Sequence, residues 1–190
     1  MHKLDSPPDP ALCARCHQEG HGCCQASAEG QANMFGLTLG EIALISEVSG
    51  LEPGQFSVAD RATDEFLDFL DSIHPLFRQT MPGGRRRRLK LDQTFACVFL
   101  SARGCRLPAP ARPLYCRLYP FWINPHGRLM VLRSERCLAQ EGARSWREVM
   151  LRLGQDEANL RGLFAYLEEL ATEHEAAGGE LNGPGFKVTP

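Results

Sequence analysis

Apolar residues recur with a helical period in several stretches of the chain and alternate in a few short ones. The first helical signature opens at Thr38. Thr38 and Glu41 form a capping box ahead of Ile42, Leu44, Ile45 and Val48. Gly50 closes this helix as a C-cap, and Glu52-Pro53-Gly54 makes a turn. A second helix is predicted over residues 59–73, with Phe66, Leu67, Phe69, Leu70 and Ile73 on one stripe and His74-Pro75 ending it. Ser145 and Glu148 form another capping box, for a helix ending near Gly154. The last helix is predicted over 156–175, with Leu160, Leu163, Phe164, Leu167 and Leu170 on its apolar face.

Between these helices the period shortens. Residues 85–91 read as a strand with Leu89 and Leu91 on one face, and Cys97-Val98-Phe99-Leu100 as another. Ala102-Arg103-Gly104 is a turn into Cys105, and Pro113 opens a short helix carrying Cys116. Phe121-Trp122-Ile123 and Leu129-Met130-Val131-Leu132 flank Asn124-Pro125-His126-Gly127 as a β-hairpin. Residues 13–36 show no period and read as an irregular loop rich in Cys, His and Gly. The expected fold is α+β, with helices flanking a small antiparallel β region and an irregular Cys-rich metal-binding loop. Its expected organisation is an extended segment over 1–12, a cysteine-cluster metal-binding domain over 13–137 with two inserted helices, a C-terminal helical segment over 138–176 and a flexible tail over 177–190.

Composition narrows the chemistry. A chain of 190 residues, 43% hydrophobic and 23% charged, buries a core of its own, so metal is not needed to rescue a very small fold. A formal charge of -2 points to neither a nucleic-acid nor a membrane partner. No stretch approaches the roughly 20 apolar residues of a membrane span, and the first residues hold no apolar run of signal-peptide length. The expected compartment is the cytoplasm, where disulfides are rare. Eight cysteines then read as metal ligands, with buried apolar thiols as the plain alternative.

Spacing favours ligands. Cys13-Ala14-Arg15-Cys16 is a pincer whose short loop lets both sulfurs turn toward one ion at about 2.3 Å. Six residues later come Cys23 and Cys24, and Cys97, Cys105, Cys116 and Cys137 spread across the β region. Adjacent Cys23 and Cys24 fit poorly on one tetrahedral ion and are expected to bind different metals, or one of them not at all. Turns beside Cys105 and Cys116 free backbone N–H groups to point at thiolate sulfur. Four plus four thiols match two four-ligand sites, or one cluster and one zinc.

These residues carry a resemblance. The Cys-rich loop, Cys97-Val98-Phe99-Leu100, Gly104-Cys105 and Arg112-Pro113-Leu114-Tyr115-Cys116-Arg117-Leu118-Tyr119-Pro120-Phe121 resemble the CxxCxxCC cysteine-cluster family (YkgJ-type) over residues 13–137. That family is described as a zinc- or iron-chelating domain whose members are often labelled iron–sulfur proteins. The resemblance implies zinc or iron, or a [4Fe–4S] cluster, on Cys13, Cys16, Cys23, Cys24, Cys97, Cys105, Cys116 and Cys137. Six residues, not two, separate Cys16 from the Cys23-Cys24 pair, which departs from the family pattern.

Neighbouring residues have supporting readings. Arg112 and Arg117 flank Cys116 and would offset thiolate charge. Tyr119, Pro120, Phe121 and Trp122 read as core packing that also forms a dry wall. His17 and His21 are placed beside the ligands rather than among them, and Arg85-Arg86-Arg87-Arg88 reads as a solvated strand or loop. No catalytic motif is present. Three functions fit: a metal-chelating protein with zinc or iron as its partner, an iron–sulfur electron-transfer or oxidoreductase-type protein, and a zinc-stabilised interaction module.

Overall fold

Two apolar clusters, each gathered from distant parts of the chain, organise the fold. The computed structural model describes residues 12–19, 22–79 and 81–176. In chain order these hold α1 (Leu12–Gln18), α2 (Leu39–Ser49), α3 (Pro53–Phe56), β1 (Ser57–Arg61), α4 (Asp64–Ile73), α5 (Leu76–Gln79), β2 (Arg85–Leu89), β3 (Leu100–Ser101), β4 (Gly104–Cys105), α6 (Leu114–Leu118), β5 (Phe121–Ile123), β6 (Leu129–Val131), α7 (Trp146–Arg152) and α8 (Glu157–Ala176). The fold is α+β, with antiparallel pairs β1–β2, β3–β4 and β5–β6. Among the described residues no helix is long and apolar enough to cross a membrane.

The first cluster packs α4, α5, α6 and α8 around Phe77, Trp122 and Phe164. Trp122 meets Phe164 edge-on at 5.0 Å and Phe77 at 5.2 Å, an arrangement aromatic quadrupoles favour. The second cluster joins Ile42 and Ile45 of α2 to Phe56, Leu89, Phe99 and Leu107, and Cys97 is part of it.

Helix α2 forms as its sequence predicts. Thr38 Oγ1 accepts from the Glu41 N–H at 3.2 Å, and the Glu41 carboxylate accepts from the Thr38 N–H at 2.7 Å. Gly50 ends the helix with φ 68°, a left-handed conformation that glycine adopts without strain. Glu41 then does something its sequence position does not announce. Its second oxygen accepts from the Leu114 N–H at 2.7 Å. Pro113, at the N-cap of α6, has no side-chain acceptor, so a carboxylate from α2 caps the helix that carries Cys116.

Several expectations are corrected. Residues 59–61 belong to a strand, not a helix: β1 pairs with β2 from Ser57↔Leu89 to Arg61↔Arg85. Helix α4 starts only at Asp64, where Thr63 accepts from the Phe66 N–H. Residues 97–100 are not one strand, because the Leu100 N–H turns back to the Cys97 carbonyl at 2.8 Å, and only Leu100–Ser101 pairs with Gly104–Cys105. Within residues 13–36, α1 and a 3-10 turn at Gly30–Asn33 replace a wholly irregular loop. The extended segment expected over 1–12 and the tail over 177–190 lie outside the described residues, except Leu12, which begins α1.

The arginine run is corrected as well. Arg86 and Arg88 are buried, 2% and 8% exposed. Strand alternation points both to one face, where the two oxygens of Asp60 take one guanidinium each. Arg86 also donates to the Met34 and Gln31 carbonyls and lies over the Phe66 ring at 5.3 Å. Arg88 donates to the Leu89 carbonyl and the Gln31 side chain. Two buried cations are thereby satisfied and pin the 31–34 turn.

Replacing Asp60→Ala leaves both guanidinium groups without their anion and is expected to cost about 3 kcal/mol by urea unfolding, the low end for a buried pair because Asp60 is partly exposed. The surface pair Arg161–Glu157 supplies the control, with Glu157→Ala costing under about 0.5 kcal/mol. Glu41→Ala strips three donors of their acceptor and is expected to cost about 2–3 kcal/mol at neutral pH. Burial raises the Glu41 carboxyl above the usual carboxylate range, although the Thr38 and Leu114 hydrogen bonds oppose that rise. The fold therefore holds this proton more tightly than the unfolded chain does, and ionising Glu41 removes part of its contribution as pH rises through its folded pKa. The stability gap between wild type and Glu41→Ala should widen as pH is lowered from neutral, and a constant gap from pH 4 to 7 would contradict this.

Candidate metal centre

A short backbone ladder brings the first thiols together. The Cys97 N–H donates to the Cys24 carbonyl at 2.8 Å, and the Ala26 N–H donates to the Phe95 carbonyl at 2.9 Å. Gln25 and Ala96 form the bridge between them. Cys24 and Cys97, 73 positions apart by number, are thus neighbours across an antiparallel step. The turn that delivers Cys97 is built by Asp92, whose carboxylate accepts from the Thr94 N–H and hydroxyl, both at 2.7 Å, and from the Ala96 N–H at 3.1 Å. These bonds hold the Asp92 carboxyl below its usual range. Phe95 sits in the left-handed region at φ 61°, a conformation that costs a residue with a Cβ and that the surrounding bonds hold in place.

Cys105 and Cys116 complete the group. Cys105 ends β4 opposite Leu100, after Gly104 turns the chain at φ 91°. Cys116 projects from α6. Burial pushes the Cys97 thiol up to about 12 and raises the Cys105 and Cys116 thiols as well. Cys24 charge raises all three further, and Cys116 feels Cys97 and Cys105 too. Two sulfurs accept a backbone N–H from two residues ahead: Cys97 from Phe99 and Cys105 from Leu107. Such bonds favour the thiolate form.

A second group surrounds Tyr119. Its hydroxyl is raised first by burial and then by Cys23, Cys137 and Cys16, while a Ser134 hydrogen bond opposes the rise. Cys16 lies on α1, with its sulfur 3.5 Å from the Arg136 carbonyl and accepting from the Leu138 N–H. Burial raises its thiol, and Cys137, Glu19 and Cys24 add to the rise. Cys13 shares α1, three positions before Cys16.

The vicinal pair joins the two groups. Cys24 is lowered to about 7, first by a hydrogen bond from Cys23 and then, against burial, by the Arg112 charge. Arg112 also hydrogen-bonds Cys105, and its Nε donates to the Leu107 carbonyl at 3.0 Å. Of the two flanking arginines, Arg112 faces these thiols, whereas the Arg117 charge acts on Glu41. Phe121 and Trp122 belong to the first apolar cluster, and Tyr119 alone of the expected wall lines the thiol cavity described next. His17 has a buried Nδ1 with no partner among the described residues, and His21 lies outside them.

Cys23, Cys24, Cys97 and Cys116 line one cavity of about 290 Å³. Cys116 has accessible surface, yet it lines this recess and is shifted by burial like an interior group. Among the described residues, no three His, Cys, Asp or Glu side chains stand as a group that could hold a metal ion. The thiols are gathered but not closed on a common point. No family model matches the chain, and neither a curated protein nor a solved structure matches it.

In protein treated with chelator and reductant, alkylation of Cys24 by iodoacetamide should rise with a midpoint near pH 7. Cys97 should stay unmodified across the same range, because its thiol is held near 12. Peptide mass spectrometry reads both sites, and equal labelling of Cys24 and Cys97 at pH 7 contradicts the assignment.

Proposed function

We propose that this chain binds zinc or iron through its cysteine thiolates, in two groups that meet at the Cys23-Cys24 pair. The observation that carries the reading is the convergence of Cys24, Cys97, Cys105 and Cys116, drawn from four separate segments: Cys24 charge reaches the other three, and Cys116 also senses Cys97 and Cys105. Thiols raised by burial and by neighbouring cysteine charge, as Cys97, Cys105 and Cys116 are, are unfavourable as free thiolates. A dication reverses the sign of that interaction, since each thiolate then neutralises the ion. Donor chemistry fits: sulfur suits zinc and iron, and the N–H groups of Phe99 and Leu107 already point at sulfur.

In this reading Cys24, Cys97, Cys105 and Cys116 hold one centre, and Cys16, Cys23 and Cys137, with Cys13, hold the other. Arg112 offsets the negative charge that four thiolates bring to one ion. Binding displaces thiol protons, so affinity rises with pH. The resemblance of the Arg112–Phe121 stretch to the cysteine-cluster family supports the same donor set. An iron–sulfur cluster is the alternative filling, supported by cysteine-only donors. In the chain's own chemistry the two fillings share ligands and differ in sulfide.

Anaerobic purification followed by zinc, iron and acid-labile sulfide counts tests both. Zinc or iron without sulfide supports plain chelation, and brown protein with sulfide supports the cluster. Cys97→Ser and Cys116→Ser are each expected to lower the metal count by the share of the first centre. Cys16→Ser and Cys137→Ser should lower it by the share of the second, leaving the first occupied. Unchanged counts in all four variants sink the reading.

A further inference from the structure

The cavity beside the thiols is far larger than an ion needs. An ion bound at about 2.3 Å from sulfur fills only the space between its ligands, whereas an apolar cavity of about 150 Å³ already accepts benzene. The cavity here measures about 290 Å³. Away from the cysteines it is walled by Phe35, Leu37, Leu89, Leu91, Pro113 and Tyr115. None of its lining residues is Asp, Glu, Lys, Arg or His. Polar atoms come from Asn33, the two tyrosines and the thiols.

The walls are fixed. Phe35 stacks on Tyr115 at 3.8 Å with the planes 15° apart, and Tyr115 stacks on Trp122 at 6.0 Å. The segment carrying Asn33, Met34, Phe35 and Leu37 is pinned from behind. Arg86 and Arg88 hold Gln31 and Met34, and the Leu37 N–H donates to the Arg87 carbonyl at 2.6 Å. A pre-formed, mainly apolar recess with a few polar groups, Cys24 the most acidic of them, has the character of a small-molecule site.

We propose that this cavity binds an uncharged, largely apolar small molecule about the size of a fused two-ring aromatic, seated against the wall formed by Cys23, Cys24, Cys97 and Cys116. A charged ligand would lose its hydration with no Asp, Glu, Lys, Arg or His in the lining to replace it, and below pH 7 the Cys24 thiol is protonated as well. The inference goes beyond metal binding and stands on the cavity's shape and chemistry, so the two are measured separately.

The test is calorimetric titration of the full-length protein with 2-naphthol as probe, with 2-naphthoate and 2-naphthylmethylamine as charged analogues of similar size. Metal per chain is counted on every sample. Saturable binding of one 2-naphthol per chain is expected, at least tenfold tighter than either analogue. Ala26→Trp and Asn33→Trp, from different segments of the lining, fill the space and are each expected to weaken binding tenfold or more. Circular dichroism and thermal unfolding identify which variant keeps the fold, and the folded one decides. No saturable binding to wild type, a charged analogue that binds as tightly, or less than tenfold weakening in every folded variant overturns the proposal. Saturable naphthol binding to protein that holds no metal upholds the cavity while removing the metal reading; metal without naphthol binding does the reverse.

Discussion

Pairing of the 24–26 and 95–97 backbones is the constraint on which the centre depends. Two hydrogen bonds place Cys24 beside Cys97 and, with them, fuse the Cys-rich N-terminal stretch to the second apolar cluster. Once that step is closed, β4 brings Cys105 and α6 brings Cys116 to the same region. Each thiol then sits where burial makes the neutral form the stable one, except Cys24, which a neighbouring sulfur and a guanidinium hold near neutrality. The fold spends stability on gathering polarisable groups that would pack as well apart.

Long-range polar contacts do the rest of the positioning. Glu41 belongs to α2 by sequence yet caps α6, so the orientation of the Cys116 helix depends on a residue 75 positions earlier by number. Asp60 balances Arg86 and Arg88, whose remaining donors hold the 31–34 turn that walls the cavity. Glu41, Arg86 and Arg88 are buried polar groups satisfied by partners from different segments, and such interactions specify one arrangement more than they add net stability.

Local signals were legible and non-local ones were not. The Thr38–Glu41 box, the Gly50 cap, the hairpin around Asn124–Gly127 and the stripe on α8 all lie within a few residues of their own backbone partners, so their patterns read directly. At Ser145 the sequence suggests a full box, but Glu148 bonds the Arg144 N–H instead, and only the Ser145 side chain caps. Strand β1 escaped because its partner lies at residues 85–89 and its own residues, Ser57–Arg61, do not alternate cleanly. The buried role of Arg86 and Arg88 follows from that same register. For the thiols, the sequence spacing pointed to the cysteines as a set, but which of them lie near Tyr119 and which near Cys97 depends on long-range pairing that spacing does not carry. Asp92 was missed outright, although an Asp two residues before a Thr is a turn signal.

Cys23 and Cys24 are consecutive, and the thiol of one bonds the other. Drawing either sulfur onto an ion, as proposed, would break or redirect that bond. Filling either thiol group would therefore change the cost of filling the other, and thermodynamic reciprocity makes that influence equal in both directions. A two-residue step in the chain would act as the smallest mechanical link for cooperativity between two sites.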